Sequence, residues 1–126
     1  MLTPPGSGQT AWTETVLYQF CGPTDASAPY SNLLMDARGA IFGTTWSGGK
    51  SDLGTTFRLE PPAAGATAWT EKVLNSFGDT PEGHNPVAGL VAAKVGDETV
   101  LLSVTENGGT AGDGTVFELS ESGFIR

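Results

Sequence analysis

The chain has 126 residues, 38% of them hydrophobic, with 18 glycines, one cysteine and a formal charge of −8 at pH 7. That length suits a single domain, and no apolar run approaches a membrane span. The acidic balance argues against nucleic acid, which needs a basic footprint, and against anionic membrane surfaces. Cys21 stands alone, which excludes an intrachain disulfide, and it reads as a partly buried free thiol.

In chain order, Met1-Leu2 leads directly into Thr3-Pro4-Pro5-Gly6, and no signal-peptide pattern is visible. Residues 12–20 alternate as a strand would, with Trp12, Glu14, Val16, Tyr18 and Phe20 on one face. The Pro- and Asp-rich stretch that follows is a loop. Residues 31–35 form a short apolar strand, Asp36-Ala37-Arg38-Gly39 a tight turn in which Gly39 suits a positive φ, and residues 40–46 the next strand. A Gly-rich loop over 46–53 then leads to a fourth strand, 55–59, stopped by Pro61-Pro62.

The same plan returns. Ala11-Trp12-Thr13-Glu14 recurs as Ala68-Trp69-Thr70-Glu71, 57 residues on, together with Val16-Leu17, Phe20, Pro29 and Leu33. Gly48-Gly49 and Gly54-Thr55-Thr56-Phe57 recur as Gly108-Gly109 and Gly114-Thr115-Val116-Phe117, 60 residues on. The second copy has therefore gained three residues between Asp36 and Ile41. Its strands are expected near 69–77, 88–92, 99–105 and 115–119, and helical periodicity is absent.

Four short antiparallel strands in a repeat of this length describe a β-propeller blade. The fold class expected is all-β: residues 1–126 form one two-blade unit, with repeat one over about 2–59, repeat two over about 60–119 and a C-terminal extension over 120–126. Residues 31–35 and 88–92 become the innermost strands, and 12–20 and 69–77 the outermost. On this ordering the strand at 115–119 lacks its outer partner, and Ser122-Gly123-Phe124 looks like the approach to another repeat. Two blades cannot close a ring, so the expectation is head-to-tail homo-oligomerisation, preferably a homotrimer of about six blades. A tetramer of about eight blades, or a piece cut from a longer array, are the alternatives.

The segments Gly54-Thr55-Thr56-Phe57-Arg58-Leu59, Trp12 to Phe20 and Asn32 to Thr45 carry a further signal. They resemble the choice-of-anchor tandem repeat family called GloVer, over essentially the whole chain. The combination of Gly-Thr-x-Phe, Leu-Tyr-x-Phe and Gly-Thr-Thr followed by Gly-Gly carries the likeness. The resemblance implies a propeller-like module and an extracellular or periplasmic setting. It supplies no catalytic residues.

Strand order places the loops at 21–30, 46–53, 78–87 and 106–113 on one side, and polar residues concentrate there. Trp46 corresponds to Glu106 in the second copy, so the repeat plan does not need it as a tryptophan. A loop Trp beside Gly48-Gly49 suits stacking on a sugar, with Asp52, Asn107, Asp113 and Tyr30 bonding hydroxyls. Trp12 and Trp69, at equivalent positions, read as packing residues. Glu82, His84 and Glu106 are the catalytic candidates, His84 as base or metal ligand beside Glu82. Asn32, at the start of the innermost strand, is a candidate Ca²⁺ ligand through its amide oxygen. The glycine pairs are not phosphate cradles, because no helix follows them. Three readings result: a carbohydrate-binding propeller with polysaccharide as partner, a hydrolase of a glycoside, ester or lactone with a metal-assisted acidic site, and a purely structural extracellular repeat. Binding leads, because aromatic and amide side chains are evident and a nucleophile–base pair is not.

Overall fold

A computed structural model of the chain describes residues 1–79 and 81–123; Phe124 and the rest of the C-terminal extension, 124–126, lie outside the described residues. The described residues form ten strands and no helix. β1 (Leu2–Thr3) and β2 (Thr13–Glu14) make a two-stranded ladder. β3 (Leu34–Met35), β4 (Ile41–Thr45), β5 (Thr55–Glu60) and β6 (Thr70–Ser76) follow one another in space as in sequence. In the third sheet, β9 (Glu98–Asn107) is central. It pairs with β10 (Thr115–Ser120) on one side, and with β7 (His84–Pro86) and β8 (Val91–Val95) on the other. All these pairings are antiparallel, so the all-β class is as expected, and the first four-stranded sheet is the expected meander. The third sheet departs from it, because β7 pairs within the expected 78–87 loop and the strand expected at 88–92 runs 91–95, where β9 lies beside it.

The turns explain the hairpins. At β3–β4, the Asp36 carboxylate accepts from the backbone N–H of Arg38 (2.8 Å) and Ala40 (2.9 Å), and Gly39 takes φ 83°. This is a side-chain-bonded turn closed by a residue without a Cβ. The three residues gained in the second copy lengthen the hairpin and leave its register alone. Leu34 opposes Phe42 and Val91 opposes Leu102, but β8 and β9 run on until Val95 meets Glu98.

Two expected strands are shorter in the structure, and of residues 31–35 only Leu34–Met35 pairs, opposite Phe42 and Ile41. Residues 12–20 were expected to be a full strand, but only Thr13–Glu14 pairs, opposite Leu2–Thr3. The equivalent β6 is seven residues long because all of β5 lies beside it. A ladder extends only as far as its partner. Nor does the alternation persist along these segments. Val73 opposes Phe57 and Asn75 opposes Thr56, so Leu74 is the extra residue of a β-bulge and turns into the core. In the first copy Leu17, Tyr18 and Phe20 pack inward, whereas Trp12 and Val16 are exposed.

Two clusters hold the fold. The larger joins the four-stranded sheets: Ala40 and Phe42 from β4 and its turn, Leu74 and Phe77 at the end of β6, and Leu90, Leu101, Phe117 and Leu119 from the third sheet. The smaller lies on the opposite face of β4 and β5, where Ile41, Phe57 and Leu59 are covered by Leu17, Tyr18, Phe20 and Trp69. Each contains an edge-to-face aromatic pair, Phe77 on Phe117 (5.2 Å, 70°) and Phe20 on Phe57 (5.0 Å, 68°). The two pairs occupy equivalent repeat positions.

Polar atoms repeat as faithfully. The Thr45 and Thr55 hydroxyls lie 2.8 Å apart, the Thr55 N–H donates to Thr45 Oγ1 (3.1 Å), and Thr45 donates to the Ser47 carbonyl (2.9 Å). Thr105, Thr115 and Asn107 make the same three bonds at 2.9, 3.0 and 2.9 Å. The Gly-Thr-x-Phe motif is thereby explained. Gly54 (φ 100°) and Gly114 (φ 92°) close the loop, the motif's Thr bonds the hydroxyl of Thr45 or Thr105, which satisfies the backbone on both sides, and Phe enters the core.

Candidate functional site

The loops at 21–30 and 46–53 meet, as do those at 78–87 and 106–113. Ser27 bridges to Ser47, and His84 to Asn107, at equivalent positions. Close approach requires glycine: a Cβ on Gly48 would lie 2.6 Å from the Ala26 Cα, and one on Gly108 2.4 Å from the Gly83 Cα. These glycines thus bring the polar loops together.

The junction between the two four-stranded sheets carries a continuous polar network. The Trp46 indole N–H donates to Glu106 Oε2 (3.0 Å), linking two residues that hold equivalent repeat positions. The Trp46 backbone carbonyl accepts from Asn85 Nδ2 (2.9 Å). Asn85 Oδ1 in turn accepts from Asn107 Nδ2 (3.3 Å) and lies 2.7 Å from His84 Nδ1. The Asn85 N–H crosses the junction to the Leu53 carbonyl (2.8 Å). Asn85 is buried, Trp46 and Glu106 are exposed, and His84 and Asn107 lie between. Beside the network, Asp79, Pro81, His84, Asn107 and the glycines 108, 109 and 112 line an open cleft of about 490 Å³.

Trp46, His84, Glu106 and Asn107 are therefore brought together, and the other candidates are not. Asp52 is exposed but turned onto its own loop, where Oδ1 accepts from the Gly48 N–H (2.8 Å). Asp113 is exposed and its backbone bridges to Gly108. Glu82 is exposed, its carbonyl accepting from the Thr115 hydroxyl (2.8 Å). Tyr30 projects into solvent. Asn32 is exposed, with its backbone carbonyl against Gly89, where a Cβ would come within 2.4 Å. Among the described residues, no group of three or more His, Cys, Asp and Glu side chains is placed to hold a metal. Cys21, expected to be partly buried, is exposed: the packing on the smaller core reaches Phe20, and the Cys21 N–H is tied to Asp25 Oδ2 (3.0 Å) in the loop beyond it.

Sequence reasoning missed two features. Asn85 organises the network, yet it matches Ala28 in the first copy and so gives no repeated signal. Its one mark is position: Asn85 (φ 55°) and Ala28 (φ 58°) both take a left-handed conformation immediately before a proline, where extended backbone is the norm. The second is Glu71. Burial, and then the negative charge of Asp25, push its carboxyl up to about 7. Its Oε1 is buried without a hydrogen-bond partner. Nearby, Asp25 Oδ2 accepts from the Tyr18 hydroxyl and the Cys21 N–H, both at 3.0 Å. Burial and this carboxylate raise the Tyr18 phenol to about 12.

No family model, no curated protein and no solved structure matches the chain.

Proposed function

We propose that the chain is a β-propeller binding module that recognises carbohydrate on its loop face, at the junction between blades. The observation that carries this reading is Trp46, an exposed indole whose N–H is fixed by Glu106 of the other repeat. A pinned aromatic ring loses little entropy on stacking against the C–H face of a sugar. The adjoining cleft offers Asn107, His84 and Asp79 for hydroxyl groups. Polar side chains of both donor and acceptor type beside an aromatic platform match the amphipathic character of a sugar ring. The motifs that resemble GloVer support an extracellular or periplasmic setting, where polysaccharide is available. Retention on insoluble cellulose and xylan, followed by a glycan array, tests the proposal. Trp46→Ala is expected to weaken binding at least tenfold, about 1.4 kcal/mol. Absence of retention by the wild type, or a Trp46→Ala variant that binds equally well, rejects it.

A hydrolase is the second reading, and one contact favours it: an asparagine oxygen 2.7 Å from His84 Nδ1, a way of orienting an imidazole used by some nucleophilic hydrolases. Turnover of chromogenic glycosides and esters that is unchanged by EDTA and by substitution of Glu82, His84 and Glu106 eliminates it.

A further inference from the structure

The two four-stranded sheets meet through unlike faces, and on its other face each lacks a second four-stranded sheet packed against it. At the internal junction, the first sheet contributes the face bearing Phe42 and Leu34, and the third contributes the face bearing Leu101, Phe117 and Leu119. The outer face of the first sheet carries Ile41, Phe57 and Leu59, the repeat equivalents of Leu101, Phe117 and Leu119; they are buried under Leu17, Tyr18, Phe20 and Trp69, and a groove lies beside them. The outer face of the third sheet carries Leu102 and Val91, the equivalents of Phe42 and Leu34, flanked by the cross-strand pair Val104 and Val116, and of these four only Leu102 is part-buried. Each outer face is thus a counterpart of one that meets a sheet at the internal junction, and the two are complementary in kind. Burial shows what is missing. Leu90 is 6% exposed, but its equivalent Leu33 is 63% exposed at the mouth of a groove of about 520 Å³. Thr56 is fully buried, but its equivalent Val116 is 79% exposed. A buried hydroxyl has become an exposed valine, the reverse of ordinary surface composition.

We infer that the groove on the first sheet receives the third sheet of a second copy of this chain, head to tail, by repeating the internal junction. Three further observations fit this occupant. First, β10 pairs with β9 alone among the described residues, whereas its equivalent β5 has both neighbours. The segment equivalent to β6 is 13–19, already lying on the smaller core through Leu17 and Tyr18. Second, Ala28 holds the same left-handed backbone with which Asn85 reaches the Leu53 carbonyl. That conformation is costly for alanine, by about 1 kcal/mol or more. In the assembled pair it aims the Ala28 N–H at the Asp113 carbonyl of the second copy. Third, the equivalences fix a register, with Phe117 opposite Val16 and Leu119 opposite Glu14. Glu14 now opposes Leu2, so docking exchanges the two-residue ladder of β1 for a longer one. A heterologous contact of this kind closes into a ring or grows as a filament. Three copies supply about six sheets, within the range of closed propellers. The inference stands independently of carbohydrate binding.

The test uses the whole chain in about 150 mM salt, which screens repulsion between acidic copies. Mass is measured by native mass spectrometry and light scattering, and folding is checked by far-UV circular dichroism. Leu33→Asp and Val116→Asp each alter an exposed side chain on one of the two surfaces. The wild type is expected to assemble, and each variant alone to lose self-association at least hundredfold. An equimolar mixture of the two variants is expected to give a dimer and nothing larger, since one intact interface remains between them. A monomeric wild type at high micromolar concentration overturns the inference and assigns the groove to a different partner. Variants that assemble like the wild type place the contact elsewhere, and a mixture that stays monomeric refutes the head-to-tail arrangement.

Discussion

Leu33 and Leu90 occupy one position in the repeat and two different environments, so truncating each to alanine separates what the sequence specifies from what the junction supplies. Leu90 belongs to the larger core and is 6% exposed. Removing its side chain forfeits the transfer term and leaves a cavity between the sheets, a loss of about 2–5 kcal/mol. Leu33 is 63% exposed, so only about a third of a transfer term of ~2 kcal/mol is at stake, and solvent fills the space. Its loss is ~0.7 kcal/mol. Urea unfolding followed by circular dichroism, at protein concentrations low enough to keep the chain monomeric, reads both values, with unchanged slopes confirming a common unfolded state. Raising the concentration should then increase the Leu33→Ala cost towards that of Leu90→Ala, because the proposed assembly would bury the position. Equal costs in the monomer would refute the reasoning: the junction would not be what distinguishes the two copies.

Two further perturbations probe polar groups. Glu71 has a folded pKa raised to about 7 from an ordinary 4.5, so it stabilises the fold below about pH 4.5 and that contribution is lost as pH rises through 7. Glu71→Gln should therefore melt close to the wild type at pH 4.5 and above it at pH 8; a constant difference at both pH values would show that Glu71 does not titrate abnormally. Thr56 buries a hydroxyl with no hydrogen-bond partner, and the second copy has Val116 there. Thr56→Val should raise stability by about 1 kcal/mol, whereas Thr45→Val, which strips three bonds from a fully buried hydroxyl, should lower it by about 2–4 kcal/mol. Chemical denaturation of both variants checks the pair, and a shared sign would contradict the hydrogen-bond assignment.

Much of the fold was legible because its signals are local. The Asp36–Gly39 turn, the Gly-Thr-x-Phe strands and the Gly-Gly loops each follow from a conformational need of one or two residues. The bulge at Leu74 was not legible, because an alternating pattern cannot say which residue a ladder will skip. Residues 12–20 read as a strand on pattern alone, yet pattern cannot supply a partner for their backbone groups. At the candidate site, Trp46 stood out by breaking the repeat, and its pairing with Glu106 follows from the sheets meeting at equivalent loops. Asn85 and Glu71 stayed hidden for opposite reasons. Asn85 acts through a left-handed backbone that a side-chain alphabet does not display. Glu71 sits at a position where its counterpart, Glu14, is exposed. Burial, and not residue type, sets the two apart.

The unit that recurs in the sequence and the sheet that forms in space are out of step by one strand. The first four-stranded sheet takes β3, β4 and β5 from one repeat and closes with β6 from the next. A duplication that copies the repeat therefore never copies a finished sheet; it copies three strands and a hook for the sheet before. Cutting the chain at its sequence boundary, after Leu59, would strip β5 of its neighbour and strand the hook. The four strands of one finished sheet instead run from Leu34 to Ser76, across the boundary. Stability in such a chain is shared between consecutive repeats, so lengthening it by one unit also completes the unit already there.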